Sequence, residues 1–273
     1  MPPKKKTESA TPKASDVPTP SALASSQTPL VPTVDGGDML AIVGGYHGAP
    51  HDVLGPHVVE RDGEAIVSVR VFRPLDAAVA IRDNQTGIST PMERIDLNGF
   101  FEAQFPGRSE PFAYRLLLTS PAGDEIELED PYRFPFFLTE FDTYLFHEGN
   151  FNQCYEKLGA HFRTIGEGAD AVRGVNFAVW APNALRVGLV GPFNGWDART
   201  HPMSKRLNSG LWEIFIPNLI EGEQYKFAIK STILDYQVDK ADPYAFYAEK
   251  RPSTDSRVWD VDKYEWNDAE WMQ

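Results

Sequence analysis

The sequence predicts an all-β protein made of two tandem β-sandwich modules behind a disordered tail. Three observations predict it: an ordered internal repeat, apolar alternation at period two over strand-length stretches, and no long stretch of 3.6-residue periodicity. Val69-Arg70-Val71-Phe72-Arg73-Pro74 parallels Phe177-Ala178-Val179-Trp180-Ala181-Pro182 at a spacing of 108 residues, and Val79 and Ile81 match Val187 and Leu189 at the same spacing. Gly99-Phe100-Phe101-Glu102 then matches Gly210-Leu211-Trp212-Glu213 at 111, as do Phe105-Pro106 with Ile216-Pro217 and Tyr114-Arg115 with Tyr225-Lys226. Asp130-Pro131-Tyr132 matches Asp242-Pro243-Tyr244 at 112. Order is kept while spacing drifts slightly, the signature of one module present twice.

Each copy reads as strands. Val175, Phe177 and Val179 alternate with smaller or polar residues, Trp212, Ile214 and Ile216 share a face, and Tyr225, Phe227 and Ile229 oppose Lys226 and Lys230. Prolines 74, 106, 182 and 217 fall at strand ends, where a missing N–H does no harm. Short strands separated by turn signals, in modules of roughly 100 residues, fit an immunoglobulin-like sandwich.

The chain has 273 residues, enough for two such modules. Its net charge of -13 argues against nucleic acid as a partner. A single cysteine, Cys154, forms no internal disulfide or cysteine-based zinc site, so a reducing cytoplasm is expected. No apolar run is long enough for a bilayer, so no membrane partner is expected. Residues 1–44, rich in Pro, Ser, Thr and Ala, are expected as a disordered tail because they bury too little apolar surface to offset ordering entropy. Lys4-Lys5-Lys6 is followed by no compact apolar stretch, so secretion is not expected. The modules are expected at 45–137 and 154–262. An aromatic linker at 138–153 would pack between them or face a neighbour, and 263–273 would be a Trp-rich linker towards a further domain.

No catalytic, metal or cofactor constellation emerges. Asp130 and Asp242 precede Pro-Tyr and read as turn formers. His47, His51 and His57 lack metal-ligand spacing. No phosphate-binding loop, Rossmann glycine pattern or nucleophile elbow is present.

The second copy differs from the first at one informative place. Its loop Gly191-Pro192-Phe193-Asn194-Gly195-Trp196 is three residues longer than the first copy's and gains a tryptophan. Turn-forming neighbours would push Trp196 to the surface, where a flat indole suits the C–H face of a sugar ring. Asn194 and Lys226 would supply the donors and acceptors that hydroxyls need. Against this stands a plainer reading in which Trp196 closes one end of the core. Trp180 and Trp212, equivalent to Phe72 and Phe101, read as core.

Several motifs together resemble the amino-terminal half of bacterial glycogen branching enzymes: Val53-Leu54-Gly55-Pro56-His57, Leu128 to Phe134, Tyr155-Glu156-Lys157-Leu158-Gly159-Ala160-His161, Phe177 to Ala184, Phe193-Asn194-Gly195-Trp196-Asp197 and Lys240 to Ala245. The resemblance covers about residues 45–273. It implies an N-terminal sandwich followed by a carbohydrate-binding module of family 48, a role in glycogen biosynthesis, and α-glucan as a partner. In complete enzymes of this family a (β/α)8 barrel follows, which moves an α-1,4-linked chain to a 6-hydroxyl with a paired Asp nucleophile and Glu acid/base. The sequence stops before that barrel, so the chain is expected to be inactive alone. Similar glycogen-binding modules, including that of the AMP-activated kinase β subunit, stack sugar on a tryptophan placed like Trp196 and touch it through a lysine placed like Lys226. Their second tryptophan falls near residues 233–239, where the only aromatic is Tyr236, and an asparagine of theirs aligns with Ser256. The expected glucan-binding residues are thus Trp196, Lys226, Asn194 and Tyr236. The alternative is a scaffold that only positions the barrel.

Overall fold

Strand pairing follows the sequence repeat. The computed structural model describes residues 30–168, 171–233, 236–264, 266–268 and 270–272. The body of the fold is Pro32–Gln273, a unit distinct from the preceding residues. Strands are numbered along the chain. In the first copy β1 (Gly55–Arg61), β2 (Glu64–Phe72), β5 (Glu93–Asp96) and β6 (Phe100–Phe105) form an antiparallel sheet in the order β1-β2-β6-β5. Opposite it, β3 (Ala78–Asp83), β4 (Ser89–Pro91), β7 (Tyr114–Thr119) and β8 (Glu125–Glu129) run in the order β4-β3-β7-β8. In the second copy β9 (Gly159–Ile165), β10 (Val172–Trp180), β12 (Ser204–Arg206) and β13 (Leu211–Pro217) repeat the first order as β9-β10-β13-β12. The facing sheet holds β11 (Ala184–Val190), β14 (Gln224–Ser231), β16 (Tyr247–Ala248) and β17 (Ser256–Arg257) in the order β11-β14-β17-β16, with β15 (Gln237–Lys240) also on β14.

The two cores are built from equivalent residues. Val67, Val69, Val71, Val79, Ile81, Met92, Phe101 and Tyr114 are buried together in the first. Val175, Phe177, Val179, Val187, Leu189, Met203, Trp212 and Tyr225 take the same places in the second. Period-two alternation sends every second side chain of a strand inward, which produces this matched set. The repeated Asp-Pro-Tyr closes each sandwich in the same way. Tyr114 donates its hydroxyl to Asp130 and Tyr225 to Asp242, both at 2.6 Å, and each aspartate also accepts the backbone N–H of the tyrosine two residues on.

The repeat extends further upstream than the strand pattern indicates. Leu54-Gly55-Pro56-His57 and Leu158-Gly159-Ala160-His161 are equivalent at a spacing of 104 (159 − 55). Each histidine Nε2 bonds the carbonyl of its leucine. Each glycine has positive φ, with a tyrosine carbonyl packed where a side chain would go: Tyr132 over Gly55 and Tyr244 over Gly159. The spacing grows from 104 to 108 because the β9–β10 connection has six residues, 166–171, and the β1–β2 turn has two, 62–63.

Each copy also has a helix ahead of its first strand. This corrects the expected extent of the tail. Residues 36–44, assigned to it from composition, form α1 (Gly36–Gly44), capped by the Asp35 side chain, which accepts from the N–H groups of Gly37 and Asp38. Ile42 of α1 joins Val53, Leu54, Phe72 and Phe100 in a small core on the outer face of the first sheet. That burial holds a helix which glycine-rich local sequence would not sustain alone. Residues 1–29 of the expected tail lie outside the described residues. In the expected linker, α2 (Glu140–His147) starts at a capping box between Thr139 and Asp142. Phe146 and Cys154 pack near Leu138, Leu158, Ala178 and Leu211, the matching outer core of the second copy.

Trp180 is a second correction. It ends β10 on the outer face and is 53% exposed, whereas its equivalent Phe72 is buried. Phe72 has the α1 cluster around it, while Trp180 meets Phe146 at 6.0 Å. The period that sends Val175, Phe177 and Val179 inward sends Trp180 outward.

The sandwiches meet through a polar and aromatic seam. Tyr132 donates its hydroxyl to the Pro202 carbonyl at 2.9 Å, and Phe134 packs edge-on against Phe215 at 5.1 Å. His51 stands between Tyr132 and Phe136. The Ser204 hydroxyl accepts from the His51 backbone N–H at 3.1 Å and lies within hydrogen-bond distance, 2.7 Å, of His51 Nδ1. Burial first, then Arg206 and His57, push the His51 imidazole down to about 3. A histidine whose folded pKa lies below its unfolded value contributes stability that is fully present above about 6.5 and is lost as pH falls towards 3. Between pH 7 and 4.5 this amounts to about 2–3 kcal/mol. The unfolding free energy of the unaltered chain relative to that of His51→Gln, from urea titrations, should accordingly be lower at pH 4.5 than at pH 7 by that amount. An unchanged difference would mean that His51 charges freely in the folded state.

Candidate functional site

The Trp196 loop leaves the sheet at Val190 and returns as an edge pairing. Gly188 bridges Pro202, the Leu189 N–H donates to the His201 carbonyl, and the Met203 N–H donates to Val187. Asn194 braces the loop from inside. Its Oδ1 accepts from Gly191 N at 3.0 Å, and its Nδ2 lies within bonding distance of the Leu189 carbonyl (2.9 Å), His201 Nδ1 (3.0 Å) and the Asp197 carbonyl (3.3 Å). Arg199 adds a bidentate pair with Asp197. Both amide protons and one Oδ1 lone pair of Asn194 are engaged inside the loop, which they hold in shape.

That shape matters for Trp196. Its backbone is left-handed, with φ of 61°, and its N–H donates to the Gly191 carbonyl at 2.9 Å. A bulky residue in this region costs about 1–2 kcal/mol, and such strain persists where the surroundings impose it, often at ligand sites. Among the described residues Trp196 belongs to neither core cluster, and it is 42% exposed, so the reading in which it plugs the sandwich end does not hold.

Lys226 lies directly across the ladder from Val190, where the loop begins, so it and Trp196 occupy the same end of the sheet. Its ammonium pairs with Asp255 at 3.0 Å. The Ser253 hydroxyl, donating to Asp255 at 2.7 Å, and then Lys226 hold the Asp255 carboxyl below the usual carboxylate range. An ammonium has three donors, so Lys226 keeps capacity for a ligand. Neither Ser253 nor Asp255 was singled out from sequence, because their approach to Lys226 depends on β17 returning beside β14.

Tyr236 is not brought to this end. Its carbonyl accepts from Ser231 N, and β15 pairs Gln237 with Lys230. Ser231 is five positions along β14 from Lys226, about 17 Å at strand rise. Tyr236 is 51% exposed at the far end. Ser256 is buried, and its hydroxyl accepts from Asp242 N at 2.9 Å, so it serves the Asp-Pro-Tyr closure.

Two family models match separate parts of the chain. Residues 35–132 match the family model of the N-terminal domain of the α-1,4-glucan branching enzyme GlgB, a match that begins just ahead of α1. Residues 157–245 match carbohydrate-binding module 48, the isoamylase N-terminal domain. The chain is similar to the 1,4-α-glucan branching enzymes GlgB of Cereibacter sphaeroides (46% identity over 236 residues), Rubrobacter xylanophilus (45% over 233) and Rhodopirellula baltica (42% over 234). These alignments cover 85–86% of this chain and 30–31% of the relatives, so the chain spans about 30% of their length.

Proposed function

We propose, because the chain belongs to the amino-terminal region of the 1,4-α-glucan branching enzyme family, that its second sandwich binds α-1,4-glucan and holds it for the branching reaction of that family. The exposed indole of Trp196, on a loop braced by Asn194, carries the reading. The indole is the stacking surface for a glucose ring, Lys226 donates to a hydroxyl from its seat on Asp255, and Asn194 keeps the loop in place. Tyr236, at the other end of β14, would serve only a glucan long enough to cross the sheet. The partner in the branching reaction is a catalytic barrel, and the compartment is the cytoplasm, in keeping with a single free cysteine. Among the described residues no helix is long and apolar enough to cross a membrane.

A single stacking surface gives weak binding to one chain end, near the millimolar level or about -4 kcal/mol, which the many chains of glycogen amplify through avidity. Native electrophoresis through glycogen-containing gels tests this. The unaltered chain should be retarded and Trp196→Ala should migrate as in a gel without glycogen. Equal retardation of both would remove Trp196 from the site.

A further inference from the structure

We propose that the cleft between the two sandwiches is a second α-glucan subsite, continuous with the Trp196 loop and completed by residues of the first sandwich. This rests on the glucan-binding reading above and extends it to a surface outside the second module. The cleft has a volume of about 610 Å³, within the range of small-ligand sites, which favour the junctions between domains. One wall is Arg73 to Asp76 with Ile126 to Glu129 of the first sandwich. The other is Phe193 to Gly195 and His201 of the second, with Pro217 nearby. Phe193, Asn194 and Gly195 line the cleft and Trp196 follows them on the same loop, which is the link between the two surfaces.

The chemistry of the walls selects a neutral polyol. Most of their charges are matched, with Glu223 as the exception among the described residues: Arg73 holds Asp76 at 2.7 Å, Arg82 holds Glu127 at 2.9 Å, and Arg115 and Arg133 both hold Glu129. Paired side chains offer donors and acceptors together without net charge, which suits hydroxyls that both give and accept. Leu75 and Ile126, each more than half exposed, supply apolar surface for C–H faces. His201 adds a directed donor. Its Nδ1 accepts from Asn194 Nδ2, so the neutral ring carries its proton on Nε2, for which no acceptor exists among the described residues. Burial, then Arg73, push the ring down to about 3, so it stays neutral at working pH.

The test is a titration of the ¹⁵N-labelled full chain with maltoheptaose, followed by amide, indole and imidazole signals. The inference predicts saturable shifts at Leu75, Asp76, Glu127 and Glu129 together with Gly195, the Trp196 indole and His201 Nε2. Shifts confined to Trp196 and the surroundings of Lys226 would overturn the cleft and leave the Trp196 reading intact. Shifts in the cleft with an unmoved Trp196 indole would do the reverse, and no shifts at all would remove both. Asp76→Ala should weaken binding about fivefold, the effect of one lost hydrogen bond. Leu75→Glu, at an exposed position where folding is not at stake, should weaken it similarly. Unchanged affinity in both variants would also overturn the cleft.

Discussion

Glu213→Ala should destabilise the second sandwich by about 3–5 kcal/mol, the cost of removing one member of a buried ionic network. Glu213 is fully buried on the outer face of β13. It accepts from Phe137 N at 2.7 Å, Leu138 N at 3.0 Å and Asn176 Nδ2 at 3.0 Å, and faces Arg206 at 3.5 Å. Alanine would leave two backbone donors and the Asn176 amide without their acceptor, and the Arg206 guanidinium without its counter-ion. Burial raises the Glu213 carboxyl pKa against the lowering by those donors. Glu213→Gln keeps one acceptor oxygen and should retain much of the stability. Urea unfolding followed by tryptophan fluorescence reads both variants, and a Glu213→Ala midpoint equal to that of the unaltered chain would show that the network is dispensable. The first copy has the same device, since Glu102 accepts from the Thr33 N–H and hydroxyl and from Ser68. In each copy a buried glutamate ties the segment entering the module to its outer sheet.

The two equivalent-looking tryptophans should behave oppositely. Trp212→Ala should cost about 3–5 kcal/mol, because its ring is 1% exposed in the core and its Nε1–H donates to the Ala181 carbonyl at 3.0 Å. Trp180→Ala, at a half-exposed ring, should cost under about 1 kcal/mol. Thermal or urea midpoints of the pair decide the matter, and similar losses would place Trp180 in a core after all.

Much of the fold was legible because period-two alternation and an ordered repeat are local signals, and the sheets use them directly: Val69 with Phe177 and Phe101 with Trp212 occupy matching core positions. Helix α1 was not legible. Gly36-Gly37-Asp38 is poor helix-forming sequence, and Ile42 earns its place only against Phe72 and Phe100, which are distant in sequence. Trp180 was misread for a related reason: repeat equivalence preserves position and strand face, while burial also depends on what covers that face. At the candidate site the exposure of Trp196 was foreseeable from its turn-forming neighbours. The internal use of Asn194 and the remoteness of Tyr236 were not, since both follow from loop closure and strand register.

The most direct test of the central claim is a calorimetric titration of the unaltered chain and of Trp196→Ala with maltoheptaose. The dissociation constant should be near millimolar for the unaltered chain and at least tenfold higher for the variant, the loss expected when a large apolar contact of about 1.5–3 kcal/mol is removed. Equal dissociation constants, or no measurable heat from either protein up to tens of millimolar sugar, would contradict that claim.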